Sequence, residues 1–246
     1  MSHALWDAVG RPESIALVGG GGKTTLAFRL LKEGVATGLK RTLFTTTTRV
    51  RVPEIPHQVD VLLETMTLEE AVYLVHHAFE EGHQRVALIS SREVSDAHGP
   101  RAVGIPTDWI EVLSQFVDLL VVESDGSRML PFKAPRLPME PVIPMGIKAV
   151  FGVVGLDVLG VPLDEVHVCR SDVVMKVAGA QEGEMVTPEM VGKVMGNRDL
   201  WCHQLSHEVP YHVIVNKVDS PEQLGSAREI LLAMENAAGV VSILVT

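Results

Sequence analysis

Cysteine is nearly absent: the 246 residues hold two, Cys169 and Cys202. No disulfide framework beyond one bridge is open to the chain, and a reducing compartment is expected. Positive charge is scarce too. Lys and Arg number 21 against 31 Asp and Glu, a net charge of -10. Nucleic acid and anionic membrane surfaces, which reward basic patches, are therefore not expected partners. Long apolar runs are missing: "VDLLVVES" and "AVFGVVGLDVL" fall well short of the ~20 residues of a membrane span. The opening "MSHALWDAVGRPES" has no basic head followed by an apolar stretch, so no secretory signal and a cytoplasmic location are expected. No internal repeat or low-complexity tract is visible.

What is present fits a globular protein with a substantial core, 46% hydrophobic and 21% charged. Short runs rich in Val and Ile alternate with helical patterns. Ile15–Val18, Thr42–Thr46, Val86–Ser90, Leu119–Glu123, Val150–Val154, Val213–Asn216 and Val240–Val245 read as buried strands. Their alternation with helices predicts an α/β fold, a mainly parallel sheet flanked by helices. The expectation is one domain over residues 1–246. "TLEE" at Thr67 and "SPEQ" at Ser220 are capping boxes that open helices, and "TPEM" at Thr187 is similar without the Glu or Gln. One stretch resists any regular element. Prolines 131, 135, 138, 141 and 144 make an irregular insertion at about 126–148. A loop that long in a compact domain reads as a lid or binding loop.

The chemistry concentrates in three motifs. "LVGGGGKTT" follows a predicted strand and opens a predicted helix, the setting of a P-loop. Gly19, Gly20, Gly21 and Gly22 let the backbone turn its N–H groups around an anion, and the helix N-terminus adds partial positive charge. Lys23 would reach the β- and γ-phosphates, and Thr24, followed by Thr25, would offer a hydroxyl to Mg²⁺. The spacing departs from the commonest pattern, which has a glycine where Leu17 stands. The second motif is "DLLVVESDGS", an apolar strand ending in acids. P-loop NTPases hold Mg²⁺, or its water, with such an acid. Glu123 and Asp125 are both candidates and would share a face if the strand continued. The third is "VIVNKVD", with Asn216, Lys217 and Asp219 at a strand end. A carboxylate at Asp219 can accept both N1–H and the exocyclic NH₂ of guanine, a donor pair adenine lacks. The Lys217 stem would lie along the base face.

Lesser signals surround these. Thr45–Thr48 and Arg49 lie at the end of the expected strand Thr42–Thr46. The threonines suit a strand as such, or place hydroxyls and the Arg49 cation near the γ-phosphate, where charge develops in phosphoryl transfer. Cys202, His203 and His207 have a partial zinc spacing with no matching pair elsewhere, and an exposed amphipathic helix is the expectation. His167, Cys169 and Arg170 follow a strand and its turn, where α/β proteins place substrate groups, but an ordinary surface loop is the expectation.

In order along the chain, "ALVGGGGKTT", "TTTTR", "VVESDGS", "LPFKAP", "EPVIP", "VVGLDVLG", "TPE" and "VNKVD" resemble the selenium-dependent hydroxylase accessory proteins, the YqeC family of selenium cofactor biosynthesis. The resemblance runs from about Leu17 to Asp219. It implies a P-loop NTPase-like fold and a role in maturing selenium-containing molybdenum hydroxylases. A molybdenum hydroxylase or a selenium-handling protein is then the implied partner. The resemblance also groups Lys133, Glu140, His167 and Arg170 as a second site.

Three functions fit these residues. The first is a Mg²⁺-dependent GTPase that acts as an assembly factor, with Lys23, Glu123, Asp125 and Arg49 as catalytic groups and a homodimer across the nucleotide as a further expectation. The second is an ATP-dependent ligase or kinase-like enzyme that activates a small substrate, since the loop suits ATP almost as well. The third is a module that holds a nucleoside triphosphate without turnover.

Overall fold

In a computed structural model, residues 5–51, 55–94, 99–234 and 240–245 are described. The chain forms two compact units. The first takes Met1–Leu17, Thr24–Asp125 and Val142–Lys148, and the second takes Val18–Lys23, Gly126–Pro141 and Ala149–Thr246.

In the first unit the strands are β1 (Ser14–Gly19, continuing into the second unit), β2 (Thr42–Thr46), β3 (Arg49–Arg51), β4 (Val61–Glu64), β5 (Arg85–Ile89), β6 (Ser91–Glu93), β7 (Arg101–Val103) and β8 (Leu119–Glu123). Five of them pair in the order β1-β8-β2-β5-β4, every pair parallel. Parallel strands covered on both faces need apolar residues throughout, and β1, β2 and β8 are buried along their whole length. Helices α1 (Leu5–Ala8), α2 (Lys23–Ala36), α3 (Leu68–Glu80) and α4 (Trp109–Ser114) intervene. The second unit has β9 (Ala149–Gly155), β10 (Tyr211–Asn216) and β11 (Val240–Val245), again parallel, with β10 in the middle. Its helices are α5 (Ser171–Ala178), α6 (Pro188–Met195), α7 (Arg198–Cys202) and α8 (Pro221–Ala233).

All seven expected strands are present, and the mainly parallel α/β class with them. Two features escaped the pattern. Edge strand β4 is only half buried, so its residues lack the continuous apolar signature. The three-residue strands β3, β7 and β6 form a separate antiparallel sheet too short and too charged to announce itself.

The caps act as the sequence indicates. Thr67 and Ser220 accept from the amides of Glu70 and Gln223. Thr187 does the same for Met190 without a Glu or Gln three residues on. The Gln223 side chain closes back on the Asp219 amide at 2.7 Å, which fixes the backbone of the NKVD motif. Ser220→Ala should therefore cost about 1 kcal/mol of stability, read as a lower denaturant midpoint at unchanged slope.

The proline-rich segment holds no helix or strand, but it is not a free flap. Phe132, Lys133 and Ala134 are fully buried in the second unit, and Lys133 makes an isolated bridge to Cys169. The expected helix around Cys202, His203 and His207 is also different: α7 ends at Cys202 and buries Leu200, Trp201 and Cys202. It is thus neither exposed nor long enough to set His203 and His207 on one face. Among the described residues no helix is long and apolar enough to cross a membrane.

Candidate functional site

Strand β1 runs into the glycine loop, and the loop into α2. Gly21 and Gly22 have φ of 75° and 113°, a region side-chain-bearing residues avoid. Space is as limiting as torsion. A Cβ at Gly20 would stand 2.6 Å from the Leu130 carbonyl, and one at Gly22 would stand 2.5 Å from Asn216 Nδ2. Gly20 donates to Val153 O at 2.8 Å and Gly21 to Leu130 O at 3.1 Å. Those two amides therefore serve the fold, which narrows the expected cradle to the donors that follow them. The first-turn amides of α2, from Lys23 through Thr24 and Thr25, have no carbonyl within the helix to accept them. Such a helix start suits an anion. Lys23 is buried, its Nζ donating to Gly19 O at 2.6 Å, so the ammonium folds back over its own loop.

In the first unit, Thr24 Oγ1 donates to Glu123 Oε2 at 2.7 Å. Of the two candidate acids, Glu123 is the one joined to the P-loop hydroxyl. The expectation that Asp125 shares its face does not carry over, because β8 ends at Glu123 and Asp125 lies buried beyond it. A partly buried hydroxyl–carboxylate pair of hard oxygen donors fits a magnesium ion.

The threonine run supports this acid. Thr46 sits opposite Glu123 in register and donates its hydroxyl to the Glu123 carbonyl at 2.9 Å. Thr45 donates to Leu88 O and Thr47 to Val142 O. The hydroxyls thus bind backbone carbonyls and hold the strand ends together. Arg49 opens β3, is exposed, and pairs with Glu93 at 2.8 Å; the hydrogen bond to Arg49 holds Glu93 below the usual carboxylate range. None of its described bonds reaches Thr24 or Glu123.

In the second unit the NKVD motif meets the loop. Asn216 Nδ2 donates to Gly21 O at 2.8 Å. Lys217 has φ of 65°, unusual for a lysine, and its ammonium lies 2.6 Å from Asp157 Oδ2. Strain of this kind, kept at a motif, is a mark of functional sites. Asp219 is exposed at the start of α8. Asp157 lies within "VVGLDVLG" but carried no signal of its own: it stands in a short 3-10 helix 60 residues before its partner.

Of the four residues grouped as a second site, three come together. Lys133 Nζ donates to Glu140 Oε2 at 2.9 Å and to Gly126 O at 2.9 Å, and Arg170 donates to Glu140 Oε1 at 3.1 Å. Burial works to raise the Glu140 carboxyl, but hydrogen bonds and charge from Lys133 and Arg170 hold it low. His167 instead pairs with Asp164 at 2.7 Å. Burial pushes the Cys169 thiol up despite the nearby cations of Lys133, Arg170 and Arg128, and pushes Cys202 up to about 12. Neither is a ready thiolate.

The family described as YqeC protein matches residues 15–172. A YqeC protein of Escherichia coli (strain K12) is 30% identical over 167 residues, 65% of this chain and 58% of that protein. The chain thus spans less than two thirds of that curated relative's length. Among solved structures, the hydrogenase maturation factor HypB from Archaeoglobus fulgidus aligns over 96% of this chain and 81% of its own, at 15% identity and a TM-score of 0.43.

Proposed function

The chain belongs to the YqeC family, and on that premise we propose that it is an accessory protein that binds and hydrolyses GTP with Mg²⁺, acting in maturation of a selenium-containing molybdenum hydroxylase. The observation that carries the nucleotide reading is the Thr24–Glu123 bond. It joins the hydroxyl that follows the P-loop lysine to the acid at the end of a neighbouring parallel strand, the donor pair a P-loop NTPase sets on magnesium.

In this reading Lys23 and the first-turn amides of α2 bind the β- and γ-phosphates. Thr24 and Glu123 hold Mg²⁺, with Asp125 beside them on the chain. The metal supplies charge neutralisation on the phosphate oxygens. Asn216 locks the base-reading turn to the loop through Gly21 O, and Asp219 accepts the two guanine donors. Thr46 keeps the Glu123 backbone in place. Arg49 takes part only if Glu93 releases it, since the two are bonded. Water attacks the γ-phosphorus, and GDP and inorganic phosphate leave.

Magnesium dependence tests the metal pair. Glu123→Gln should raise the Mg²⁺ concentration for half-maximal phosphate release several-fold, with a smaller change for Asp125→Asn. If both variants keep the wild-type dependence, the acidic strand end is not the metal site.

A further inference from the structure

The segment from Gly126 to Glu140 touches the glycine loop through its backbone and supplies Lys133 and Glu140 to the ion cluster. Leu130 O accepts the Gly21 amide at 3.1 Å, and Pro131 O accepts the Gly155 amide at 2.8 Å. Phe132 O accepts from Cys169 N at 3.0 Å, and Cys169 O from Ala134 N at 3.3 Å. This strap passes so close that Gly20 has no room for a Cβ against Leu130 and Phe132. At its centre Lys133 is fully buried, with its ammonium on Gly126 O and Glu140, and Glu140 is held in turn by Arg170. Gly126 directly follows Asp125, so the ammonium also ties down the chain as it leaves the acidic strand. A buried lysine is costly unless paired, and its partners here come from both ends of the strap.

We infer that Lys133 is a positioning residue for the phosphate loop: the Lys133–Glu140–Arg170 clamp fixes the strap whose carbonyls hold Gly21 and back Gly20. The cluster is then the support of the first site and not a second ligand site. It acts through Leu130 O on the Gly21 amide. The clamp itself is independent of the ligand, while its consequence for binding rests on the GTP reading above.

Two measurements keep those apart. In the ligand-free protein, hydrogen exchange of peptides covering 18–23 should speed up at least fivefold in Lys133→Met, while peptides over 211–216 stay within twofold of wild type. The affinity for Mg²⁺·GTP should fall about five- to tenfold, with affinity for guanosine, which lacks phosphate, within twofold. Lys133→Met leaves Glu140 with one cation fewer and could unfold the strap outright. Lys133→Met/Glu140→Leu removes both charges and should give the same exchange and affinity pattern on a folded chain. Unchanged loop exchange in the folded double variant overturns the inference. So does faster exchange with unchanged GTP affinity, or an equal loss for GTP and guanosine. If wild type binds no guanine nucleotide, the functional reading fails, and the exchange measurement alone still decides whether the clamp holds the loop.

Discussion

Lys23→Ala should weaken triphosphate binding roughly 10- to 150-fold while the fold stays intact. The ammonium is buried and hydrogen-bonded to Gly19 O at 2.6 Å, so it waits inside the loop and needs no long search to meet a phosphate. A charged donor on a phosphate oxygen contributes about 1.5–3 kcal/mol, and each 1.4 kcal/mol is about tenfold in affinity. Removing the chain's end takes a donor from Gly19 O, but Gly20 and Gly21 stay held by Val153 and Leu130. Calorimetric titration with GTP, beside a thermal melt, reads both halves of the claim. Unchanged affinity would make the glycine loop a structural turn.

The second large effect concerns the base. Asp219→Asn should lose GTP and gain xanthosine triphosphate. A carboxylate accepts N1–H and the exocyclic NH₂ of guanine together. An asparagine amide would meet that NH₂ with its own donors. Xanthine carries a carbonyl there, which the amide can satisfy while its oxygen still accepts N1–H. Facing donor to donor costs about 1–3 kcal/mol. Competition of the two nucleotides for wild type and variant measures the switch. The Asp219 amide is held by Gln223 in either protein, so the turn should keep its shape. An unchanged preference would make NKVD a strand-ending turn and bring the ATP-dependent ligase reading forward.

Much of this was legible because the fold repeats one physical signal. A parallel strand covered on both faces favours apolar residues along its length, and β1, β5, β8, β9 and β10 carry that signature. The glycine loop, strand-end acid and NKxD turn stood out for a related reason, since phosphate, metal and base would each demand particular residue types at fixed spacing. What stayed hidden depends on partners distant in sequence. Nothing local shows that Thr24 meets Glu123 and not Asp125, which turns on where β8 stops. Arg49 reads as a free cation until β6 brings Glu93 beside it. The proline-rich segment reads as a lid because proline forbids helices and central strands. It does not forbid burial, and Lys133 shows how an irregular chain can be packed when an acid is supplied for its charge.

The most direct measurement is a titration of the purified protein with GTP and with ATP, each with and without Mg²⁺. Saturable GTP binding that needs Mg²⁺ and is at least tenfold tighter than ATP binding is the result expected from Lys23, Thr24, Glu123 and Asp219 acting together. Equal affinity for the two nucleotides, or no binding of either, would contradict it.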